Sequence, residues 1–132
     1  MGSDIPDYMR YWGKAKRVDL PGESDDYHLL AYHCLDVAAC GYQMVIDNRF
    51  HAADILAEIG FSRADGAYWF AYFLALHDIG KFARGFQQLY PHNNSALVSD
   101  AGRIYRPRHD SLGYWLWQNH ILPRWLDDNI AL

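Results

Sequence analysis

An unbroken apolar run from Ala67 to Leu76 ends in an adjacent histidine and aspartate, His77 and Asp78. Because the run is apolar on every side, it predicts a central, buried helix. An imidazole and a carboxylate at the end of such a helix are costly to desolvate, and a partner, often a metal ion, commonly compensates them. The pair therefore makes a metal-dependent hydrolase the leading hypothesis.

Length and charge limit the classes of protein to consider. The chain has 132 residues, enough for one hydrophobic core and too few for two comfortable domains, so we expect one core. Its formal net charge of -4 argues against a protein that binds nucleic acid mainly through a broad basic face. A nuclease that binds phosphates through bound cations is still allowed.

The cysteines and the apolar run predict a cytoplasmic protein. Cys34 and Cys40 lie six residues apart on a predicted helix, which separates them by about 9 Å. A disulfide needs Cα atoms within about 7 Å, so the two should not pair. The sequence shows no signal peptide, and Ala67 to Leu76 is shorter than the roughly 20 residues that span a bilayer. We expect a reducing cytoplasm.

The first half of the chain predicts an arm followed by helices. Residues 1–26 lack periodicity and predict an extended arm, ordered by the packing of Trp12. Three helical segments are predicted after it: Tyr27 to Asp47, capped by Ser24, Asp25 or Asp26; His51 to Ile59, ended by Gly60; and a helix opened by a capping box of Ser62 and Asp65.

The second half predicts shorter elements. Gly80 should let the chain turn after Asp78, and a short helix should follow it. Tyr90 to Pro107 predicts a loop, and a helix that begins near His109 should be interrupted by Pro123. Because no alternating strand pattern is present, we expect an all-α domain.

Three predicted helices each present a histidine near an apolar face: His33, His77 beside Asp78, and His109. Neutral imidazole with carboxylate suits Mn, Fe, Co, Ni or Zn better than Ca or Mg. Such a site would hold the phosphate oxygens of an in-line displacement. Structural roles are open too, because a lone His33 is more often a core histidine bonded to a carbonyl. His109 could simply cap the start of a helix, with Asp110 complementing the macrodipole.

Four strings carry a family resemblance: YWGKA (Tyr11 to Ala15), YHLLAYHCLDVA (Tyr27 to Ala38), ALHDIGKF (Ala75 to Phe82) and RHDSLGYWLW (Arg108 to Trp117). HDIGK alone is typical only of the broad HD phosphohydrolase superfamily. In this order, the four strings resemble the HD nuclease domain of the CRISPR-associated helicase-nuclease of type I systems, most closely its type I-E form.

The resemblance implies an all-α HD-domain helical bundle, with an arm at residues 1–26 and a partial HD nuclease domain at residues 27–132. It implies up to two divalent transition-metal ions and cleavage of single-stranded DNA exposed by a CRISPR surveillance complex of the Cascade type in antiviral defence. His33, His77 and Asp78 match ligands of the first ion, with Asp78 bridging, and His109 matches a ligand of the second. Lys81 matches a residue that steadies the substrate phosphate or the transition state.

The chain also departs from the family pattern. The family has a further His-His pair followed by Gly, and later an Asp, and nothing after His109 supplies them, since His120 follows Asn119. The resemblance therefore implies an incomplete metal site, and we expect weak binding of one ion and little DNA cleavage by this chain alone.

Two alternative functions are open. The first is a non-catalytic decoy that binds the surveillance complex and blocks nuclease recruitment through an aromatic-rich surface, which includes Tyr114, Trp115, Trp117 and Trp125. The second is a small HD enzyme that acts on nucleotides. It fits HDIGK and leaves the other three strings unexplained.

Overall fold

The computed structural model describes residues 5–16, 26–99 and 102–130. Its strands are β1 (Trp12–Ala15) and β2 (Tyr27–Leu29), and its helices are α1 (Leu30–Ile46), α2 (Ala52–Glu58), α3 (Arg63–Leu76), α4 (Arg84–Gln87), α5 (His109–Leu116) and α6 (Leu122–Ile130). Short 3-10 turns lie at Asp7–Arg10, Arg49–His51 and Ile79–Phe82, and a π-helical turn lies at Trp117–Ile121. The described residues form two compact units, Ala31–His77 and the residues before and after it in the chain.

The described residues are mostly helical, as predicted, and a small sheet qualifies the all-α prediction. β1 and β2 pair antiparallel, with Trp12 opposite Leu29 and Ala15 opposite Tyr27. The strands are only four and three residues long, too short for an alternating pattern to be visible in the sequence. The predicted helix from Tyr27 therefore begins three residues later, at Leu30.

The predicted caps of this first helix are wrong or lie outside the described residues. Asp26 precedes β2 and is four residues from the start of α1, so it does not cap that helix. Ser24 and Asp25 lie outside the described residues. The cap prediction failed because it depended on a helix that was extended by three residues at its start.

Within Ala31–His77 the core consists of Val45, Ala53 and Ala67, against which Tyr42 and Phe70 pack among other side chains. The prediction for α2 is confirmed within one residue at each end. Gly60 follows with a φ of 94°, a left-handed conformation that glycine adopts without steric cost, so it ends the helix as predicted.

The prediction that α3 is the most buried helix is wrong. Only Gly66 and Ala67 of α3 are buried, and Tyr68 is 66% exposed. In a unit of three helices, two of them can cover only part of the surface of the third. An all-round apolar sequence therefore leaves large side chains, including Phe73, exposed in this unit.

The predicted Ser62 cap at the start of α3 is confirmed, although the Asp65 carboxylate accepts from the Ser62 hydroxyl in place of the Ser62 backbone N–H that a full capping box uses. The Asp65 backbone N–H donates to Ser62 Oγ at 3.1 Å, and the Ser62 hydroxyl donates to Asp65 Oδ2 at 2.6 Å. We expect Ser62→Ala to lower the free energy of unfolding by about 1 kcal/mol, because the backbone N–H loses its acceptor. Ser62→Asn should keep most of the stability in urea denaturation. A loss no larger than that of Ser95→Ala, an exposed loop serine, would contradict the capping role.

The other unit has its own core, built from Trp12, Phe86, Tyr90 and Leu97. Trp12 stacks on Phe86 with ring centroids 4.7 Å apart and meets Tyr90 edge-on at 5.5 Å. The packing of Trp12 that we predicted to order the arm is thus present in its described part. The described residues carry two core clusters where one was expected.

The interruption predicted at Pro123 takes a different form. Pro123 is the second residue of α6, and the wider π-helical turn lies directly before that helix. There the Leu122 N–H donates to the Trp117 carbonyl oxygen, five residues earlier. Proline has no N–H to continue an α-helical ladder, and the wider turn lets the helical path continue in spite of it.

Cys34, which is buried, and Cys40, which is exposed, are not joined by a disulfide, as their predicted spacing on α1 requires. Among the described residues, no helix combines the length and the apolar character needed to cross a bilayer.

Candidate metal centre

Helices α1 and α3 bring two of the predicted site histidines together. His33 lies in the first turn of α1, and His77 follows the last residue of α3. The ring centroids are 5.5 Å apart. His77 Nδ1 is 2.5 Å from the Leu74 carbonyl oxygen, which can only accept, so Nδ1 carries a proton and Nε2 is the nitrogen that can offer a lone pair to a metal ion. A hydrogen bond of this kind commonly fixes the tautomer of a metal-binding histidine.

His77 itself is exposed, whereas Asp78 is 6% exposed. The expectation that the helix buries both residues is therefore correct only for the carboxylate. His77 still follows the helical path, and the backbone leaves the helix at Asp78, with φ -108° and ψ 15°. This change of direction sends two consecutive side chains into different surroundings.

Asp78, Lys81 and His109 form a second group. Asp78 Oδ2 is 2.7 Å from Lys81 Nζ, and Asp78 Oδ1 is 3.6 Å from His109 Nε2. The 3-10 turn Ile79–Phe82 explains the first contact, because residues three apart lie on the same side of a 3-10 helix. His109 lies in the first turn of α5, as predicted, and Arg108 occupies the N-cap position, so the alternative in which His109 caps the helix is wrong.

Lys81 is largely buried, with 13% of its side chain exposed. Its ammonium lies 5.5 Å from the centroid of the Phe86 ring and 3.4 Å from the Gly13 carbonyl oxygen. Burial of an ammonium is unfavourable unless it is paired, and Asp78 supplies the opposite charge. Asp78 and Lys81 therefore compensate each other's charge.

Gly80 has a different role from the turn that we predicted. Its φ is not positive, so the backbone does not need glycine for its conformation. Instead the backbone of α5 lies against it: a Cβ on Gly80 would overlap the His109 carbonyl oxygen and lie 2.8 Å from Gly113 N. The missing side chain is what lets the turn after Asp78 approach the start of α5.

Two further residues that shape this group were missed in the sequence. The Tyr105 hydroxyl is 2.7 Å from His109 Nδ1 and accepts the His109 backbone N–H at 2.8 Å. The fully buried side chain of Gln87 bonds both backbone groups of Trp12 and the Lys81 carbonyl oxygen. The loop that holds Tyr105 and the 75-residue separation of Gln87 from Trp12 leave no periodic signal.

Asp110 adds a negative charge beside His109. The Ser111 backbone N–H, 2.8 Å from Oδ1, holds the pKa of Asp110 below its usual range, and the nearby Arg108 guanidinium lowers it further. The ionised carboxylate in the first turn of α5 complements the helix macrodipole, the structural role considered for it from the sequence.

The chemistry of the donor set fits a divalent transition metal. His33, His77 and Asp78 each offer one atom of a type that binds metal ions, two imidazole nitrogens and a carboxylate oxygen. The peptide bond between His77 and Asp78 places the carboxylate next to one of the two histidines in the chain. The pairing of Asp78 with an ammonium agrees with a position that attracts positive charge.

Comparison with known proteins agrees with these features. A family model described as "Cas3, HD domain" matches residues 12–130. The chain is similar to the CRISPR-associated endonuclease/helicase Cas3 of Escherichia coli strain K12, with 34% identity over 132 residues that cover 89% of this chain and 14% of that protein. No solved structure matches the chain. Since the family model extends over far more than half of its length, this chain belongs to the Cas3 HD domain family.

Proposed function

We propose that this chain provides the metal-binding part of an HD nuclease that degrades single-stranded DNA in CRISPR defence, in the cytoplasm. The observation that carries the proposal is that the His33 and His77 rings lie 5.5 Å apart. The buried carboxylate of Asp78 directly follows His77 in the chain. The relative in Escherichia coli is called an endonuclease/helicase, and this chain spans 14% of its length.

In this proposal His33, His77 and Asp78 bind the first ion, and His109 contributes to a second. The metal, when bound, supplies a Lewis acid that polarises phosphate oxygens and activates water. The protein orients the ligands: Leu74 fixes the His77 tautomer, and Gly80 allows Asp78 and His109 to lie close together. Two imidazoles and one carboxylate favour Mn, Fe, Co, Ni or Zn.

Lys81 has the role of a phosphate contact in the same proposal. Its ammonium lies 2.7 Å from Asp78 Oδ2. A metal ion bound to the same carboxylate would repel the ammonium, since like charges at short range disfavour each other. We infer that Lys81 then turns to the phosphate of the DNA, where its positive charge stabilises the additional negative charge of the transition state.

The experiment is a metal titration of the 132-residue chain. After treatment with a chelator, we expect isothermal calorimetry to show one weakly bound Mn²⁺, Co²⁺ or Ni²⁺ per chain. Asp78→Asn, which keeps the shape and removes the charge, should lower the affinity at least about tenfold. The matched control is Asp128→Asn, an exposed carboxylate on α6, which should bind the metal like the wild type.

Cleavage is measured on the same proteins with a fluorescent single-stranded DNA. We expect slow, metal-dependent degradation that Asp78→Asn abolishes. If Asp78→Asn binds the metal as tightly as the wild type, the assignment of this ligand is wrong. Cleavage that persists in Asp78→Asn and in the presence of chelator would contradict the metal-dependent mechanism.

The exposed aromatic side chains favour the decoy as a second candidate function. Tyr114 and Trp115 on α5 and Trp125 on α6 are all exposed. Aromatic residues of this kind are enriched at protein interfaces. A competition pull-down distinguishes the two functions: a decoy displaces the nuclease from the surveillance complex and cleaves no DNA, whereas the nuclease part alone does not compete.

A further inference from the structure

We propose that Tyr105 is a positioning residue that sets the tautomer of His109. Its hydroxyl contacts His109 twice, at the ring nitrogen Nδ1 (2.7 Å) and at the backbone N–H (2.8 Å). Tyr105 lies in the loop four residues before His109, and its ring stacks on the imidazole with centroids 6.5 Å apart. Phe86 meets the same imidazole edge-on at 5.2 Å, so both neighbours restrict the plane of the ring.

The protons of these groups define the tautomer. A phenol has one proton to donate and two lone pairs that accept. The His109 backbone N–H donates to one lone pair. In the described part of the chain, the hydrogen bonds of the Tyr105 hydroxyl go to His109 alone, so the acceptor within reach of its proton is Nδ1. The hydroxyl therefore donates to Nδ1, and the imidazole proton is on Nε2.

The position of Asp78 indicates the same tautomer independently. His109 Nε2 is 3.6 Å from Asp78 Oδ1. A proton on Nε2 points a positive N–H dipole at the carboxylate, whereas a lone pair there would face a negative oxygen. Tyr105 on one side of the ring and Asp78 on the other thus both favour a proton on Nε2 of His109.

This tautomer has a consequence for metal binding, which rests on the proposed function. A histidine that binds a metal through Nε2 must carry its proton on Nδ1. If Nδ1 carries the proton, the Tyr105 hydroxyl can still accept a hydrogen bond from it, with its own proton turned towards solvent. It therefore orients the imidazole in both states, and a phenylalanine at this position would do so in neither.

Nitrogen-15 NMR of the imidazole rings tests the proposal on the full chain without metal. The two ring nitrogens of a neutral histidine have different shifts when protonated and unprotonated, and the His109 signals are assigned by their loss in His109→Asn. We expect the wild type to be protonated on Nε2. Tyr105→Phe removes only the hydroxyl and should shift His109 towards a mixture of tautomers. Tyr114→Phe, an exposed tyrosine on α5, should leave the signals unchanged.

A second measurement follows metal affinity. At metal concentrations that saturate the first site, Tyr105→Phe should weaken any further uptake of Mn²⁺ or Ni²⁺ at His109 by about 10- to 100-fold, the usual loss when a residue that orients a ligand is removed. A wild-type His109 protonated on Nδ1, or a Tyr105→Phe spectrum identical to that of the wild type, would overturn the proposal. If the wild type takes up no metal, the proposed function fails, and the NMR result still decides the role of Tyr105.

Discussion

Gly80→Ala is expected to destabilise the chain by about 3 kcal/mol or more, the upper end of the usual cost of overpacking. The new Cβ would overlap the His109 carbonyl oxygen and lie 2.7 Å from the His109 carbonyl carbon. Both are backbone atoms at the start of α5, and no side-chain rotation can move them away. The turn after Asp78 or the helix itself must therefore shift.

Urea denaturation measures this effect, and Gly60→Ala is the comparison. Gly60 has open space around it and a φ of 94°, so alanine there introduces backbone strain without a clash. That strain costs about 1–2 kcal/mol. We expect Gly80→Ala to lose clearly more stability than Gly60→Ala. If Gly80→Ala loses no more stability than Gly60→Ala, the turn after Asp78 and α5 are not as closely packed as described above.

The same substitution separates stability from metal chemistry. Under conditions in which Gly80→Ala is still folded, the shift should move Asp78 relative to His109 and weaken metal binding. Gly60→Ala lies far along the chain from both residues, and its metal affinity should equal that of the wild type. This difference would link the close backbone approach to the candidate metal centre.

Gln87→Leu is expected to lower the free energy of unfolding by about 3 kcal/mol or more, because it leaves buried backbone groups without partners. The Gln87 side chain is fully buried; Oε1 accepts the Trp12 N–H at 3.0 Å, and Nε2 donates to the Trp12 and Lys81 carbonyl oxygens at 3.0 and 2.9 Å. Leucine has a similar volume and none of these hydrogen bonds.

The control for this variant is its neighbour. Gln88 is only partly buried, and Gln88→Leu should change the stability little. Because Gln87 holds the backbone of Trp12, its loss should also expose the indole, which tryptophan fluorescence quenching detects. A stable Gln87→Leu with an unchanged Trp12 environment would show that the three hydrogen bonds contribute little to the order of the arm.

Short-range features of this protein were predictable because they depend on residues a few positions apart. Ser62 caps α3 through a residue three positions on, and Gly60 ends α2 through its own backbone conformation. The start of α5 at His109 also follows from nearby residues. The family resemblance depended on motifs of the same kind, each five to twelve residues long.

Long-range features were not predictable from these patterns. β1 pairs with β2, and the sequence between these strands shows no periodic pattern that predicts the pairing. Gln87 forms hydrogen bonds with Trp12, which is 75 positions away in the chain. The exposure of Tyr68 on α3 depends on how many neighbours cover that helix, which its apolar composition does not specify. Such features depend on how distant segments of the chain pack, which local periodicity does not show.

The sequence alone determined that a histidine and an aspartate stand side by side at the end of an apolar helix, because a peptide bond joins His77 to Asp78. It also determined that His109 begins a helix. Only the tertiary structure decided that Lys81 and His109 both face Asp78, and that Tyr105 holds the imidazole of His109. The physical reason is the close backbone approach at Gly80, which depends on how the turn and α5 pack against each other.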